Sequence, residues 1–460
     1  MNAVNPSLLL DLLTPLVAFG YHPATLKHAN GVVLDKPGKP SYDTPASLRI
    51  IVLLKTVSKI LERILTVRLT SLERQAGLLH PNQCGSLPGL STSDAVATLT
   101  HEVNTLLRPL LKVSTLFLDI KAGFDNVNAT KLRSLLLSKN IPSYMVDWVS
   151  SFLTGSECTL VFQGAPGIPA PVLVGTPQGS PLSPLLFLIL VAPLHFRIPT
   201  GIMVSYVDDF SLTVASPSHR SNIRRLQNLF SNISRRASEL DVSFSVPKTE
   251  LIHWRTYSER SPPASSPITL DGQVFHPSGV VRWLGYWLSP ALNTSHHFNH
   301  RLALANASFS FVKRLSSPGG GTRPFLAHRV AMGLFLPILT YRADLLVPNH
   351  HTTQSMNSFW HRVCRWVTNN FYSTPTSILT REACLPPINA YCRHRRRLAA
   401  LRIACAPPTH NPAAASLPSS FSSLSSFRAL DSSRHLTTHQ QKKGSLLAQQ
   451  WLRPDASVAP

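Results

Sequence analysis

Short apolar runs along the first two thirds of the chain carry the strongest structural signals. Val113–Asp119 is a compact apolar run ending in an acid, which predicts a buried strand. Gly201–Tyr206 and Phe210–Ala215 are two more such runs, and Asp208 and Asp209 lie between them. Two short strands around a tight connection form a β-hairpin, so the sequence predicts a hairpin with paired acids at its tip.

Helical spacing alternates with these runs. Leu53–Leu72 has apolar residues at helical spacing with Lys and Arg interleaved, which predicts an amphipathic basic helix. Asn128 and Pro142 each predict the start of a further helix, and another follows Pro184. By contrast, residues 31–50 are rich in Gly, Pro and basic residues, and we predict a loop-rich basic segment there.

The pattern changes near Asn293, where long helical stretches begin. Residues 406–460 are rich in Ser, Pro, Ala and His and have no periodicity, which predicts a low-complexity, mostly disordered tail. We therefore predict an α+β protein with a helical lead-in at 1–19, a mixed body at 20–290 and an all-helical region at 291–405.

Charge narrows the class of partner. The 460 residues include 44 Lys and Arg against 22 Asp and Glu, a net charge of +22, which favours a polyanion such as nucleic acid. Six scattered Cys exclude a disulfide scaffold and favour a reducing, intracellular compartment. No secretory signal is expected, and the longest apolar run, 185–194, is half of the ~20 residues that span a membrane, so we predict no membrane partner.

Three acids suggest chemistry. Singly, Asp119, Asp208 and Asp209 are ordinary strand-end or turn residues. A neighbouring strand that carries Asp119 would bring all three together, and clustered carboxylates repel unless protons or cations neutralise them. Hard oxygen ligands suit Mg²⁺, and two such ions can assist an in-line phosphoryl displacement. The sequence therefore predicts two Mg²⁺ ions and nucleotidyl transfer.

Five strings then resemble, in order, the reverse transcriptase of non-LTR retrotransposons. They are LDIKAGFDNV from Leu118, GTPQGSPLSPLLF from Gly175, YVDDF from Tyr206, PKTELIHW from Pro247 and RWLGYWL from Arg282. The resemblance covers about residues 20–400. It implies a right-hand polymerase, with fingers, an antiparallel palm sheet and a helical thumb, that copies an RNA template into DNA from a primer and dNTPs.

The resemblance also implies roles for single residues. Asp119, Asp208 and Asp209 match the metal-binding acids, and Lys248 matches a lysine near the leaving pyrophosphate, a candidate general acid. Phe124 matches an aromatic steric gate against ribose, although it also fits a core position. The remaining matches are the triphosphate-gripping Lys36, Lys39 and Arg49, the template- and nucleotide-contacting Gln178 and Gly179, and the primer-grip residues Trp283, Leu284 and Gly285.

Wider expectations follow from the same resemblance. It implies nuclear residence, and it implies that an endonuclease would come from another chain or a missing segment. The basic helices near Lys55–Arg68 and Arg393–Arg402 are candidates for phosphate contact. Trp360, Trp366 and Tyr391 are candidates for base stacking, although helix-core packing is favoured for each.

Two departures from the family pattern leave an alternative function open. The chain has Arg49, Ile50 and Ile51 where the family commonly has Arg-Pro-Ile, and Gly123 where it commonly has alanine. Both changes loosen the backbone, so a catalytically decayed, basic RNA-binding remnant is the alternative. An RNA-templated RNA polymerase is a weaker alternative, since those enzymes usually have glycine at the position of Val207.

Overall fold

The computed structural model describes residues 6–38, 40–107, 110–256, 259, 266–315 and 322–405. The predicted triphosphate residue Lys39 and the predicted tail at 406–460 lie outside the described residues. Within the described residues, the chain divides into two compact units. The first comprises residues up to Ala95, Leu106–His253 and Ala264–Pro277, and the second comprises Val96–Thr105, Trp254–Pro263 and residues from Ser278 onward.

The first unit contains two sheets and a small hairpin. Its strands are β1 (His28–Asp35), β2 (Leu48–Leu53), β3 (Gln83–Cys84), β4 (Lys112–Asp119), β5 (Ser156–Phe162), β6 (Ala165–Pro166), β7 (Ala170–Val172), β8 (Gly201–Tyr206), β9 (Asp209–Ser216), β10 (Glu250–Trp254), β11 (Ile268–Leu270) and β12 (Gln273–Phe275).

The central sheet has the order β10-β4-β9-β8-β3. The pairs β4–β9 and β8–β9 are antiparallel, as predicted, whereas the short β3 runs parallel to β8. Val113 to Leu118 of β4 are all buried, because both faces of this strand are covered. The apolar runs at 113–119, 201–206 and 210–215 therefore form the strands and the hairpin that the sequence predicts.

The second sheet has the order β2-β1-β5-β6, with β7 paired to β5. The loop-rich segment predicted at 31–50 is right in its middle, where the described residues 36–38 and 40–47 connect two strands. It is wrong at its ends, where β1 and the start of β2 belong to a six-pair antiparallel ladder. Gly31 is not a turn residue: a Cβ atom there would lie 2.9 Å from Cys158 Sγ. The absence of a side chain at Gly31 permits close packing of its neighbours. Composition alone cannot distinguish a glycine with this role from one in a turn.

Helices cover these sheets. Asn128 caps its helix, as predicted, by accepting hydrogen bonds from the backbone of Thr130 (2.9 Å) and Lys131 (3.2 Å). Residues 185–191 are buried all round, so the apolar run there is a core helix. The bounds are α1 (Pro6–Ala18), α2 (Thr56–Ala76), α3 (Thr92–Leu106, shared between the units), α4 (Ala129–Ser138), α5 (Ser143–Leu153), α6 (Ser183–Val191) and α7 (His219–Glu239).

The second unit consists of a hairpin and helices around its own hydrophobic core. The hairpin strands are β13 (Val281–Trp283) and β14 (Tyr286–Leu288). The helices are α8 (Ser295–Leu315), α9 (Pro324–Val330), a π-helical segment (Ala331–Phe335), α10 (Leu336–Leu339), α11 (His350–Thr368), α12 (Thr376–Glu382) and α13 (Ile388–Cys405). In the part of the chain described here, no helix is both long and apolar enough to cross a bilayer.

Candidate active site

The three candidate acids lie together at one end of the central sheet. Asp119 and Asp209 are direct partners across β4 and β9, and cross-strand partners place their Cβ atoms about 5 Å apart on one face. Asp208 follows Val207 in the tight connection of the β8–β9 hairpin, where Val207 has a φ of 57°. The carbonyl of Asp208 accepts a hydrogen bond of 3.0 Å from the backbone N–H of Ile120, which fixes the turn beside Asp119.

Burial and clustering raise the pKa of two of the acids, Asp209 and Asp208. Burial raises the pKa of Asp209 to about 7, and the charges of Asp208 and Asp119 add to the rise. Burial also raises the pKa of Asp208, where Asp119 again adds to the rise and the cations of Lys248 and Arg49 oppose it. Like charges held this close favour protonation or a bound cation.

Lys248 supplies one counter-charge. Its Nζ donates a 2.6 Å hydrogen bond to Asp119 Oδ2. The short turn that carries it is anchored to the same strand, because the backbone N–H of Ser245 donates to the carbonyl of Asp119 at 2.7 Å. The Lys248 side chain is 64% exposed, so its ammonium group is accessible to an anionic ligand.

The acids fit a divalent ion by donor chemistry, since carboxylate oxygens are the ligands that Mg²⁺ prefers. Among the residues described, however, no three His, Cys, Asp or Glu side chains stand as a ready-made metal cage. Lys248 already neutralises part of the charge at Asp119. An ion that used all three acids would therefore require the side chains to move closer, with Lys248 released from Asp119.

Phe124 lies in a short turn directly after β4. Its ring is half-buried and packs on Phe187 at 5.2 Å between centroids. A Cβ atom at Gly123 would lie 2.7 Å from Cζ of Phe187, so glycine is required at this position as long as Phe187 is present. The departure at Gly123 is thus matched to a packing partner in this chain.

The loop with Gln178 and Gly179 is held on both sides. The backbone N–H of Val52 on β2 donates to the carbonyl of Gln178 at 2.7 Å, and Gln178 Nε2 donates to Asp125 Oδ1 at 2.9 Å. Gly179 has a φ of +136°, and a Cβ atom there would lie 2.4 Å from the carbonyl oxygen of Val52. This loop therefore docks through its backbone, which only glycine permits.

A buried acid that the sequence did not reveal supports the same loop. Glu62 of α2 is fully buried and accepts a 2.6 Å hydrogen bond from the hydroxyl of Ser58. Burial raises the pKa of Glu62, and the neighbouring hydroxyl groups of Ser180 and Ser58 oppose the rise. Ser180 Oγ accepts from the backbone N–H of Leu182 at 3.0 Å. Glu62 Oε2 is buried with no hydrogen-bond partner among the described residues, so Glu62 supports the loop by lying beside Ser180. Nothing in the helical pattern of α2 marks this one carboxylate as buried.

The basic residues Arg49 and Lys36 of the second sheet differ in their relation to the acid cluster. Arg49 on β2 is exposed, and its charge acts on Asp208, so it belongs to the acid cluster electrostatically. Val52, which holds the Gln178 loop, lies three residues further along the same strand. Lys36 lies at the end of β1, where its backbone N–H donates to the carbonyl of Ser47 at 2.9 Å.

The predicted primer-grip residues form the turn of the β13–β14 hairpin in the second unit. Trp283 is buried, and Leu284 and Gly285 have φ values of 50° and 81°. Arg342 Nη2 donates to the carbonyl of Leu284 at 3.0 Å, and a Cβ atom at Gly285 would lie 2.7 Å from the hydroxyl oxygen of Tyr341. This turn is therefore rigidly supported within its unit.

The favoured core packing of the aromatic residues in the helical region is confirmed for Trp360, which is buried and donates through Nε1 to the carbonyl of Pro386 at 2.9 Å. Trp366 and Tyr391 pack against the same core.

Comparison with known proteins agrees with the geometry. Residues 34–288, more than half of the chain, match the family described as reverse transcriptase (RNA-dependent DNA polymerase). Two similar proteins are the probable RNA-directed DNA polymerases from transposons X-element and BS of Drosophila melanogaster. The first is 26% identical over 286 residues, 61% of this chain and 31% of that protein, and the second is 27% identical over 286 residues, 60% and 31%.

A third relative is the putative 115 kDa protein of the type-1 retrotransposable element R1DM of Drosophila melanogaster. It is 25% identical over 346 residues, which cover 74% of this chain and 32% of that protein. The chain thus spans about a third of the length of these curated relatives. Among solved structures, apo telomerase from Candida tropicalis aligns with a TM-score of 0.45 at 12% identity, covering 86% of this chain and 66% of that chain.

The family match and the names of the relatives confirm the predicted resemblance and, with it, the predicted α+β right-hand polymerase fold class. The chain belongs to the reverse transcriptase (RNA-dependent DNA polymerase) family, and its curated relatives come from non-LTR mobile elements.

Proposed function

We propose that this chain is an RNA-directed DNA polymerase of a non-LTR retrotransposon. The primer 3′-hydroxyl oxygen attacks the α-phosphorus of a dNTP, the bond to the β-phosphate oxygen breaks, and pyrophosphate leaves. The observation that carries the proposal is the pairing of Asp119 with Asp209 beside Asp208 at the hairpin tip. Such a concentration of negative charge in a protein of net charge +22 calls for a cationic ligand.

Asp119, Asp208 and Asp209 would hold the divalent ions that the family generally uses. Bound there, Mg²⁺ would lower the pKa of the attacking hydroxyl and neutralise charge on the phosphates. Lys248, exposed at the edge of the cluster, would pass from Asp119 to the leaving pyrophosphate and donate a hydrogen bond or a proton to it. Arg49 would contact the triphosphate, as its electrostatic coupling to Asp208 supports.

The neighbouring elements would select and position the nucleotide. Phe124, whose ring is supported by Phe187, would crowd a ribose 2′-hydroxyl and so favour dNTPs. Gln178 and Gly179 would pack against the template and the incoming base, because their loop is fixed to β2 by its backbone. Lys36 and Lys39 remain predicted triphosphate contacts, and the turn at Leu284 remains the predicted primer grip. Nuclear residence and an endonuclease supplied elsewhere also stay predictions.

A primer-extension assay on homopolymer RNA with an annealed DNA primer and Mg²⁺ tests this function. Wild type should extend with dNTPs and not with NTPs, and Asp208→Asn should lose extension while it still binds the RNA. Asp147→Asn is the matched control, because Asp147 is an exposed Asp paired with Arg133 at 3.0 Å on the surface. Extension by Asp208→Asn at the rate of this control would remove the acid cluster from the mechanism.

The same assay distinguishes the proposed polymerase from the alternative function, a catalytically decayed RNA-binding remnant. A decayed remnant would bind RNA and extend nothing, in wild type and variants alike. The packing of Gly123 against Phe187 argues against one of the two signs of decay, because the glycine has a structural partner. Ile50, the other departure, lies within the regular β1–β2 ladder.

A further inference from the structure

A polar groove runs between two helices of the second unit, well inside the helical region. Asn306 of α8 forms one wall, and Gln354, Ser358, Arg362 and Arg365 of α11 form the other. It encloses about 500 Å³. The α11 residues recur every three or four positions, so they form one stripe along the helix. We call this feature the α8–α11 groove.

The groove is positively charged and lies in a very basic part of the chain. Residues 278–405 contain fifteen Arg and Lys against two acids, Asp344 and Glu382. No Asp or Glu is among the described residues that line the groove. Arg362 is exposed, and its Nη2 donates to Asn306 Oδ1, which holds the guanidinium at the groove wall.

Arg365 extends the charge to the groove's end. Its Nη2 donates to the carbonyl of Tyr372 at 3.2 Å, and its guanidinium lies 4.9 Å from the centre of the Tyr372 ring. Arg365 lines the groove, and a guanidinium beside an open cavity is suited to a phosphate oxygen.

One aromatic ring, that of Tyr372, lines the groove beside these cations and is 88% exposed. Phe371, its neighbour in sequence, is 84% exposed. Arginines that contact phosphates next to rings that stack on unpaired bases are the combination by which proteins hold single-stranded nucleic acid.

We propose that the α8–α11 groove binds single-stranded nucleic acid, with Arg362 and Arg365 on the phosphates and Phe371 and Tyr372 against the bases. The inference rests on the proposed function in taking that strand to be RNA. The site is separate from the acid cluster in sequence and chemistry. Its role is to hold the element's RNA, and catalysis does not depend on its occupation.

The test is fluorescence anisotropy of the full chain with a labelled oligouridine of ~12 nucleotides, without metal or dNTP. Arg362→Gln with Arg365→Gln should weaken binding about tenfold or more. It should also reduce the slope of log K against log[salt] by about 1.4, since each phosphate contact on a single strand contributes about 0.7. The matched control is Arg329→Gln with Arg381→Gln, which removes two exposed charges from the same unit outside the groove.

The stacking contribution needs its own variant. Tyr372→Leu keeps an apolar side chain and removes the π face, and it should weaken binding at least about fivefold. Unchanged thermal unfolding of each variant shows that the fold is intact, because Tyr372 and Arg362 are both exposed. Equal weakening on oligouridine and oligothymidine also supports the site, since these contacts do not involve the 2′-hydroxyl.

Two results would overturn the inference. One is equal loss of affinity in the groove pair and the control pair, which would mean that net charge alone attracts RNA. The other is displacement of the RNA by polyglutamate that binds the groove as tightly as the RNA does, which would indicate an acidic protein partner. Primer extension is measured separately, so wild type that binds in the groove but does not extend would refute the proposed function and leave this inference standing.

Discussion

Gly179→Ala is the substitution for which the structure gives the sharpest expectation. The new Cβ atom would lie 2.4 Å from the carbonyl oxygen of Val52, against at least 3.4 Å for an ordinary contact. The loop must therefore retreat from β2 by about 1 Å. That retreat stretches the 2.7 Å hydrogen bond between Val52 N–H and the carbonyl of Gln178.

The magnitude follows from these two effects. Alanine at a φ of +136° costs about 1–3 kcal/mol of backbone strain. Loss of one backbone hydrogen bond adds about 1 kcal/mol. We expect unfolding to become easier by about 2–4 kcal/mol. A shift of ~1 Å in this loop, which is proposed to contact the nucleotide, can lower the rate of primer extension about 100-fold.

Gly272→Ala is the matched control. Gly272 also has a positive φ, +78°, but a Cβ atom there meets nothing within 4 Å. It should therefore show only backbone strain, about 1 kcal/mol, with normal primer extension. Thermal unfolding and the rate of primer extension would be measured for wild type and both variants. If Gly179→Ala matches Gly272→Ala in both measurements, the docking of this loop on β2 is refuted.

Substitutions at three further positions, Gly123, Glu62 and Asp209, test other parts of the site. Gly123→Ala should lower the unfolding temperature, because its Cβ atom would lie 2.7 Å from the Phe187 ring. Adding Phe187→Leu to that variant should restore part of the lost stability. If the losses of the two substitutions simply add, the contact is contradicted. Glu62→Gln should be tolerated, because burial already favours the neutral acid. Glu62→Ala should speed amide hydrogen exchange at residues 176–182. Equal exchange rates in the Gln and Ala variants would contradict a role of Glu62 in positioning the loop. Burial raises the pKa of Asp209 from 3.8 to about 7, so the folded state binds the proton more tightly and loses stability as pH rises between these values. With divalent ions removed by EDTA, Asp209→Asn should therefore stabilise the protein by about 1–3 kcal/mol at pH 8, a value discounted for partial exposure. At pH 5 the stabilisation should be smaller. An equal effect at both pH values would contradict the clustering of the acids.

The sequence predicts the part of the site that depends on local pattern. An apolar run followed by Asp119, and two such runs around Asp208 and Asp209, define the strands and the connection. Once the runs are strands, antiparallel pairing brings the acids to one edge. Local periodicity was sufficient there because the residues that form the cluster also end the strands.

Features that depend on distant contacts were not predictable from local pattern. The segment expected to be loop-rich at 31–50 begins and ends in paired strands, because Gly31 makes room for Cys158 and Ile50 and does not form a turn. Glu62 is an ordinary helix residue in sequence, yet it is fully buried near Ser180, 118 positions away. Phe371 and Trp360 are both aromatic residues in a helical region, yet the first is 84% exposed and the second 1%. Only the fold decides which ring is available to a ligand.

The proposed chemistry requires Asp119, Asp208 and Asp209 to form one divalent-cation site. Mn²⁺ binding at this site can be measured by electron paramagnetic resonance with primer–template and dNTP present. Wild type and Asp147→Asn should bind a pair of ions, and Asp208→Asn should bind fewer with much lower affinity. Mn²⁺ binding by Asp208→Asn equal to that of Asp147→Asn would contradict the claim.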